Sequence, residues 1–451
     1  MLTLLLAAAL VAGPHPVGYR AEVVRDATRA DRAIYVQAWY PARPAVDAKP
    51  LLYGQYVDGY EARRATTLEI HQYAAKKYGA PADAPQKLFA STTNAFKDAP
   101  AGVGSFPLIV YGGGAGNVTD ENATLAEYLA SHGFVFVSVP AMGASSNAIT
   151  LDAAGLETQT RDLEVARDYA RRIANADQQR VIAGGFSWGG ASAIAFANRQ
   201  PDVRAVFMLD SSTTSKRYGS FVAGAPFFDI ARFTMPVLDL HRQDEAVTYD
   251  VLDRYRYAER FSFEMREPNH IDFNAMPLLY AKDSDRARGY EWIARTVLTF
   301  VQGSREWPAT SAYQVTLRHR AAMPAPPTPA ELEALARKDP AAATRAYQQH
   351  ASVYAPETIN RIGYALLTDD AAAAREVFLW NVRAHPQNAD WLDSLGDALL
   401  KTNERDCARA VFARVAAISD SPGLRDRANR EVAALANATQ PCKYLEALKT
   451  P

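Results

Sequence analysis

Gly184-Gly185-Phe186-Ser187-Trp188-Gly189-Gly190 is the stretch on which the reading of this chain turns. The residues before it, 180–183, are strand-like, and 191–198 behind it are Ala-rich and helical. A serine between a strand and a helix sits on a sharp turn with strained backbone geometry, so its neighbours must be small. Gly185 and Gly189 meet that need. Such a turn lifts the hydroxyl clear of the sheet, and the helix behind it aims its positive end at developing negative charge. G-x-S-x-G alone is a weak signal. Set between a strand and a helix, it marks Ser187 as a candidate nucleophile.

Outward from that turn, 18–303 alternates short apolar runs with amphipathic stretches. This is the pattern of an α/β protein with a mostly parallel sheet and helices on both faces. Strands are expected at 33–40, 107–111, 134–139, 180–184, 205–209, 237–240 and 261–266, and helices at 122–132, 158–173 and 285–301. Leu163, Ala166, Ala170 and Ile173 share one helical face that would pack on the sheet. Residues 56–98 interrupt the rhythm and read as an inserted helical segment of the kind that caps a pocket.

A nucleophilic serine needs a base and an acid, in this fold expected in the order Ser, acid, His. Of the eight histidines, His15, His71 and His132 precede Ser187, while His319, His350 and His385 fall in the linker region or the C-terminal part. His241 lies just beyond the strand 237–240. His270, in Glu267-Pro268-Asn269-His270-Ile271-Asp272-Phe273, follows the strand 261–266 in a loop from which a base reaches over the serine. Two carboxylates compete for the imidazole Nδ1–H: Asp210, ending the strand 205–209, and Asp244, in a charged stretch after the strand 237–240. Asp210 is preferred, because a carboxylate directly ending an apolar strand is seldom buried without a partner. An oxyanion hole would take the N–H of Trp188 and a second amide from Gly112-Gly113-Gly114-Ala115-Gly116, after the strand 107–111. No G-K-[ST] follows these glycines and a dinucleotide spacing is absent, which argues against a phosphate cradle.

On these motifs, 18–303 resembles the α/β-hydrolase superfamily, and within it the platelet-activating-factor acetylhydrolase/dienelactone-hydrolase-like group. The acetylhydrolase branch carries S-H-G-x-G after its third strand, G-H-S-x-G-G around the serine and L-D after the next strand. The matching stretches here are Gly112 to Gly116, Gly185-Phe186-Ser187-Trp188-Gly189-Gly190 and Leu209-Asp210, with His270-Ile271-Asp272-Phe273 for the base. The resemblance implies Ser187, Asp210 and His270 as a triad, with the N–H groups of Ala115 and Trp188 as oxyanion donors. It further implies an esterase that needs neither metal nor cofactor and cleaves a small-molecule ester, short acyl esters first, through an acyl-enzyme. Gly113 and Phe186 stand where the family often has His, a departure that leaves the triad intact and bears on substrate preference. The acyl pocket is expected between 56–98 and residues near Met142 and Phe227-Phe228. Rival readings are a serine peptidase or lipase of the same fold, and a non-catalytic protein that binds a partner through its C-terminal helices.

After Gly303 the composition shifts. Residues 305–329 read as a linker, Pro-rich from 322, and 330–451 as Ala-rich helices. Ile362-Gly363-Tyr364-Ala365-Leu366-Leu367 matches Leu395-Gly396-Asp397-Ala398-Leu399-Leu400 at an offset of 33, and Phe378 matches Phe412 at 34. This resembles tetratricopeptide repeats, stacked helix–turn–helix units that dock a protein partner or a second copy. The alternative is a helical cap on the catalytic part.

With 49 basic and 50 acidic side chains, net charge −1, nothing favours nucleic acid or an anionic membrane as partner. No apolar run inside the body of the chain is long enough to span a bilayer. Residues 1–13 (MLTLLLAAALVAG) have the length of a secretory h-region. A signal peptide and export, periplasmic or secreted, are therefore expected, with a first strand or a mis-assigned start as alternatives. Cys407 and Cys442 stand either as a disulfide or as two separate buried thiols.

Overall fold

Along the strand Phe106–Gly112, Leu108 and Val110 belong to one apolar cluster and Ile109 and Tyr111 to another. Successive side chains of a strand point to opposite faces, so two clusters on one strand mean a sheet covered on both sides. In the computed structural model, residues 10–116, 119–144, 148–226, 228–282, 284–309 and 311–446 are described. Residues 1–9 of the expected signal segment lie outside them, as does Phe227 of the expected pocket wall. The chain divides into two units, Met1–Met323 and Pro324–Pro451.

The first unit is built on one sheet. Its strands are β1 Val17–Asp26, β2 Arg32–Pro41, β3 Ala95–Lys97, β4 Phe106–Gly112, β5 Val135–Val139, β6 Ala176–Phe186, β7 Val203–Leu209, β8 Val237–Arg242, β9 Arg260–Met265 and β10 Val315–Arg320. They lie in the order β10-β9-β8-β7-β6-β4-β5-β2-β1-β3. From β5 to β9 every neighbouring pair is parallel, whereas β2 joins β5, and β10 joins β9, antiparallel. The helices Ala123–Ser131 and Asp285–Val301 bury residues in the cluster of Ile109 and Tyr111. Ala153–Tyr169 and Trp188–Arg199 bury theirs in the cluster of Leu108 and Val110, which also holds Leu163, Ala166, Ala170 and Ile173.

Within the stretch expected as linker, β10 is instead a strand. It pairs residue by residue with β9 from Val315↔Met265 to Arg320↔Arg260. Its polar, largely exposed sequence VTLRHR suits a sheet edge, where Arg and His discourage further pairing. The inserted segment 56–98 contains the helices Glu61–Lys77 and Ala84–Phe89 and ends in β3. Ala74 and Ala75 of its longer helix pack with Met276 and Tyr280.

The second unit is a series of helices, among them Pro356–Leu367, Ala371–Ala384, Ala389–Lys401, Arg405–Ile418 and Pro422–Ala434. Side-chain N-caps from Asp370, Asn388 and Ser421 start three of them. The spacing noted in the sequence has a packing cause. A Cβ on Gly363 would collide with the ring of Phe378, and one on Gly396 with the ring of Phe412. Cys407 and Cys442 are joined in a disulfide.

Candidate active site

β6 ends at Phe186 and the next helix begins at Trp188, so Ser187 alone turns the chain. Its φ of 55° and ψ of −119° lie where a residue with a side chain is strained, at a typical cost of about 1–3 kcal/mol. The surroundings hold it there. Ser187 N–H donates to the Leu209 carbonyl at 2.9 Å, and the Ser187 carbonyl accepts from Gly190 N–H at 3.1 Å and Ser212 N–H at 2.9 Å. A Cβ on Gly185 would strike the Gly189 carbonyl, and one on Gly189 the Gly112 carbonyl, so the turn closes only with glycine on both sides.

His270 opens the short turn His270–Phe273. Its Nε2 lies 2.8 Å from Ser187 Oγ and its Nδ1 2.5 Å from Asp210 Oδ2. The imidazole is half exposed, whereas the Asp210 carboxylate is only 5% exposed. Asp210 follows β7, with its N–H on the Leu240 carbonyl at 2.7 Å. Asp244 does a different job. It accepts from Arg242 Nε at 3.0 Å and from Ala246 N–H at 2.8 Å, and these bonds hold its carboxyl below the usual range. Among the described residues it makes no hydrogen bond to His270. Arg242 links the two acids, since its N–H donates to Asp210 Oδ1 at 3.1 Å and its Nη1 bonds Asp210 Oδ2.

The sequence profile of the alpha/beta hydrolase fold matches residues 107–263. With the sheet order above, that decides the architecture. The first unit has the α/β-hydrolase fold. No curated protein matches the sequence. Among solved structures, the chain is similar to a ferulic acid esterase from Streptomyces cinnamoneus, with a TM-score of 0.53 and 19% identity over 69% of this chain and 98% of that one.

In this α/β-hydrolase fold, Ser187, Asp210 and His270 line a cleft of about 170 Å³. Its other walls come from the segment after β7, the end of β8 and the segment that follows it, with Ser212, Thr214, Ser215, Tyr218, Arg242 and Val247 among them. This corrects the expected pocket wall. Neither 56–98 nor Met142 lines the cleft, and Phe228 packs on Tyr255 instead. The inserted segment acts one step away. Tyr78 OH donates to Asp272 Oδ1 at 2.6 Å, and Asp272 Oδ2 accepts from Asn269 N–H at 2.6 Å and is paired with Arg286. Buried Asp272 thus pins the turn that presents His270.

The helix of Trp188 leaves its first N–H groups without intrahelical partners, so that of Trp188 is suited to an oxyanion. In the glycine loop, Gly113 N–H donates to the Val139 carbonyl at 2.9 Å and Gly114 N–H to Glu121 Oε1 at 2.7 Å. Ala115 is the next amide along. Gln159 Nε2 holds the Gly113 carbonyl at 2.8 Å and is itself held by Ser192 Oγ, 2.8 Å from its Oε1. Phe186 stacks on His270, ring centroids 4.8 Å apart. Arg242, Glu121, Gln159 and Ser192 escaped the sequence reading, and no motif flags them. Among the described residues there is no cluster of three or more His, Cys, Asp or Glu that could hold a metal, and no helix long and apolar enough to cross a membrane.

Proposed function

We propose that this chain is a serine hydrolase acting on small carboxylic esters. The observation that carries the reading is the unbroken series Asp210–His270–Ser187, hydrogen-bonded at 2.5 and 2.8 Å and opening into a cleft. His270 Nε2 takes the Ser187 proton as Oγ attacks the acyl carbonyl, and Asp210 stabilises the imidazolium. The N–H groups of Trp188 and Ala115 hold the tetrahedral oxyanion. His270 then gives the proton to the leaving alkoxide. A water deprotonated by the same imidazole attacks the acyl-enzyme, releasing the carboxylic acid and restoring Ser187.

A cleft of about 170 Å³ suits a short acyl group, in keeping with the acetylhydrolase-like motifs. The similar solved structure, titled a ferulic acid esterase, adds esters of ferulic acid to the first panel to assay. The test is labelling with a fluorophosphonate probe. Wild type is expected to label and Ser187→Ala to stay unlabelled; a folded wild type that neither labels nor cleaves esters would sink the reading.

We read 330–451 as tetratricopeptide-like repeats that dock a protein partner or a second copy. The support is the recurring pairing of Gly363 with Phe378 and of Gly396 with Phe412. A chain ending near Pro326 is expected to fold and hydrolyse esters without them; a folded, inactive truncation would mean that the repeats help to form the site. The Cys407–Cys442 bridge supports an oxidising compartment, in keeping with export.

A further inference from the structure

Glu121 is a buried carboxyl that the triad chemistry leaves without a task. It sits beneath the glycine loop. Oε1 accepts from Gly114 N–H at 2.7 Å, and Cβ atoms built on Gly113 and Gly114 would stand 3.3 and 3.4 Å from its two oxygens. Its backbone reaches the other side of the site, because the Glu121 carbonyl accepts from Ala275 N–H at 2.9 Å, just beyond the His270 turn. One residue therefore ties the loop carrying Ala115 to the segment carrying His270.

We propose that Glu121 is a positioning residue for ester hydrolysis, which fixes the oxyanion loop through Gly114 while contributing no negative charge beside the oxyanion. The inference rests on the hydrolase reading above and deepens it. An oxyanion hole works because its dipoles are fixed before charge develops. A carboxylate sealed beside that hole would oppose the oxyanion across a medium that screens poorly. Burial pushes the Glu121 carboxyl up to about 8; the Gly114 N–H works against this, and the neighbouring charge of Asp120 adds to it. The groups facing Glu121 are Asp120 with its partner His71, Tyr111 on β4 and Tyr290 on the helix Asp285–Val301. At neutral pH Glu121 holds its proton, and it loses it as the pH passes about 8.

The test measures kcat and KM on p-nitrophenyl acetate from neutral to alkaline pH, with circular dichroism to follow folding. Wild-type kcat is expected to fall above about pH 8 while the protein remains folded. Glu121→Leu, which removes the acceptor, should lower neutral-pH kcat about ten- to a hundredfold with KM nearly unchanged, a part of what losing a whole oxyanion donor costs. Glu121→Gln keeps the acceptor and cannot ionise, so it should recover kcat relative to the leucine variant and abolish the alkaline fall. An alkaline fall in Glu121→Gln identical to wild type would overturn the proposal, even if the leucine variant does not fold. Wild type that hydrolyses no ester would instead remove the reading on which this one rests.

Discussion

Asp210–His270–Ser187 and Asp120–His71–Tyr280 are both carboxylate–imidazole–hydroxyl series of the first unit. In the second, His71 Nε2 is 2.8 Å from Asp120 Oδ2 and Nδ1 is 2.6 Å from Tyr280 OH, distances as short as those at Ser187. What separates them is everything around the three residues. His71 and Asp120 are wholly buried, while the His270 imidazole is 46% exposed. Burial raises the Tyr280 hydroxyl well above its ordinary pKa, so it keeps its proton and locks the helix Glu61–Lys77 to Met276–Tyr280. Ser187 stands on a strained turn at an open cleft, beside amides suited to an anion. A charge-relaying geometry is therefore no sign of catalysis by itself; access and a place for developing charge are also required.

The sharpest way to break this comparison is to remove each hydroxyl. Ser187→Ala should cost on the order of 10⁶ in kcat, as for a triad acting as a unit. Tyr280→Phe should leave ester turnover within a few-fold. If Tyr280→Phe abolished turnover while the protein stayed folded, the division between the two series would fail. Exchanging the acids comes next. Asp210→Asn should lower kcat by about 10⁴ through loss of the correct tautomer, and Asp244→Asn, which only frees Arg242, by less than tenfold. Equal losses in the two variants would show that Arg242 matters as much as the acid it touches.

A smaller effect falls on stability. His71→Leu leaves Asp120 buried and uncompensated, which should cost about 3–5 kcal/mol in urea unfolding, with kcat per folded molecule little changed. Asp120 also predicts a pH dependence. Burial would raise its carboxyl, but pairing with His71 overrides this and holds it below the ordinary 3.8. A depressed carboxyl contributes stability that is complete above the unfolded value and is lost as the pH falls through the folded one. Thermal unfolding below pH 3.8 should therefore show a loss that Asp120→Asn lacks.

The sequence made the proposed catalytic series easier to read than its supports. Ser187 and His270 stand in local patterns, the serine directly after an apolar strand and the histidine in the loop that follows one. The acid stayed ambiguous because Asp210 and Asp244 both follow strands, and what distinguishes them is a long-range contact: Asp210 Oδ2 lies 2.5 Å from His270 Nδ1, whereas Asp244 binds Arg242 Nε. Gln159 reaches the glycine loop from 46 residues away, a contact that only the stacking of its helix on the sheet creates. β10 was hidden for the opposite reason: an edge strand with exposed Arg and His has no apolar alternation to display. The pocket walls were illegible because they depend on how the segments after β7 and β8 fold back, not on any periodic pattern.

The bridge between Cys407 and Cys442 carries a mechanical consequence. It closes a loop of sequence separation 35 that contains the whole helix Pro422–Ala434. Tension applied at the C-terminus would pass from Cys442 straight through sulfur to Cys407 on the helix Arg405–Ile418, bypassing the enclosed helix. A tethered or translocated chain would thus keep its last helical layer slack under load until the bond is reduced, and reduction would let that layer be peeled first.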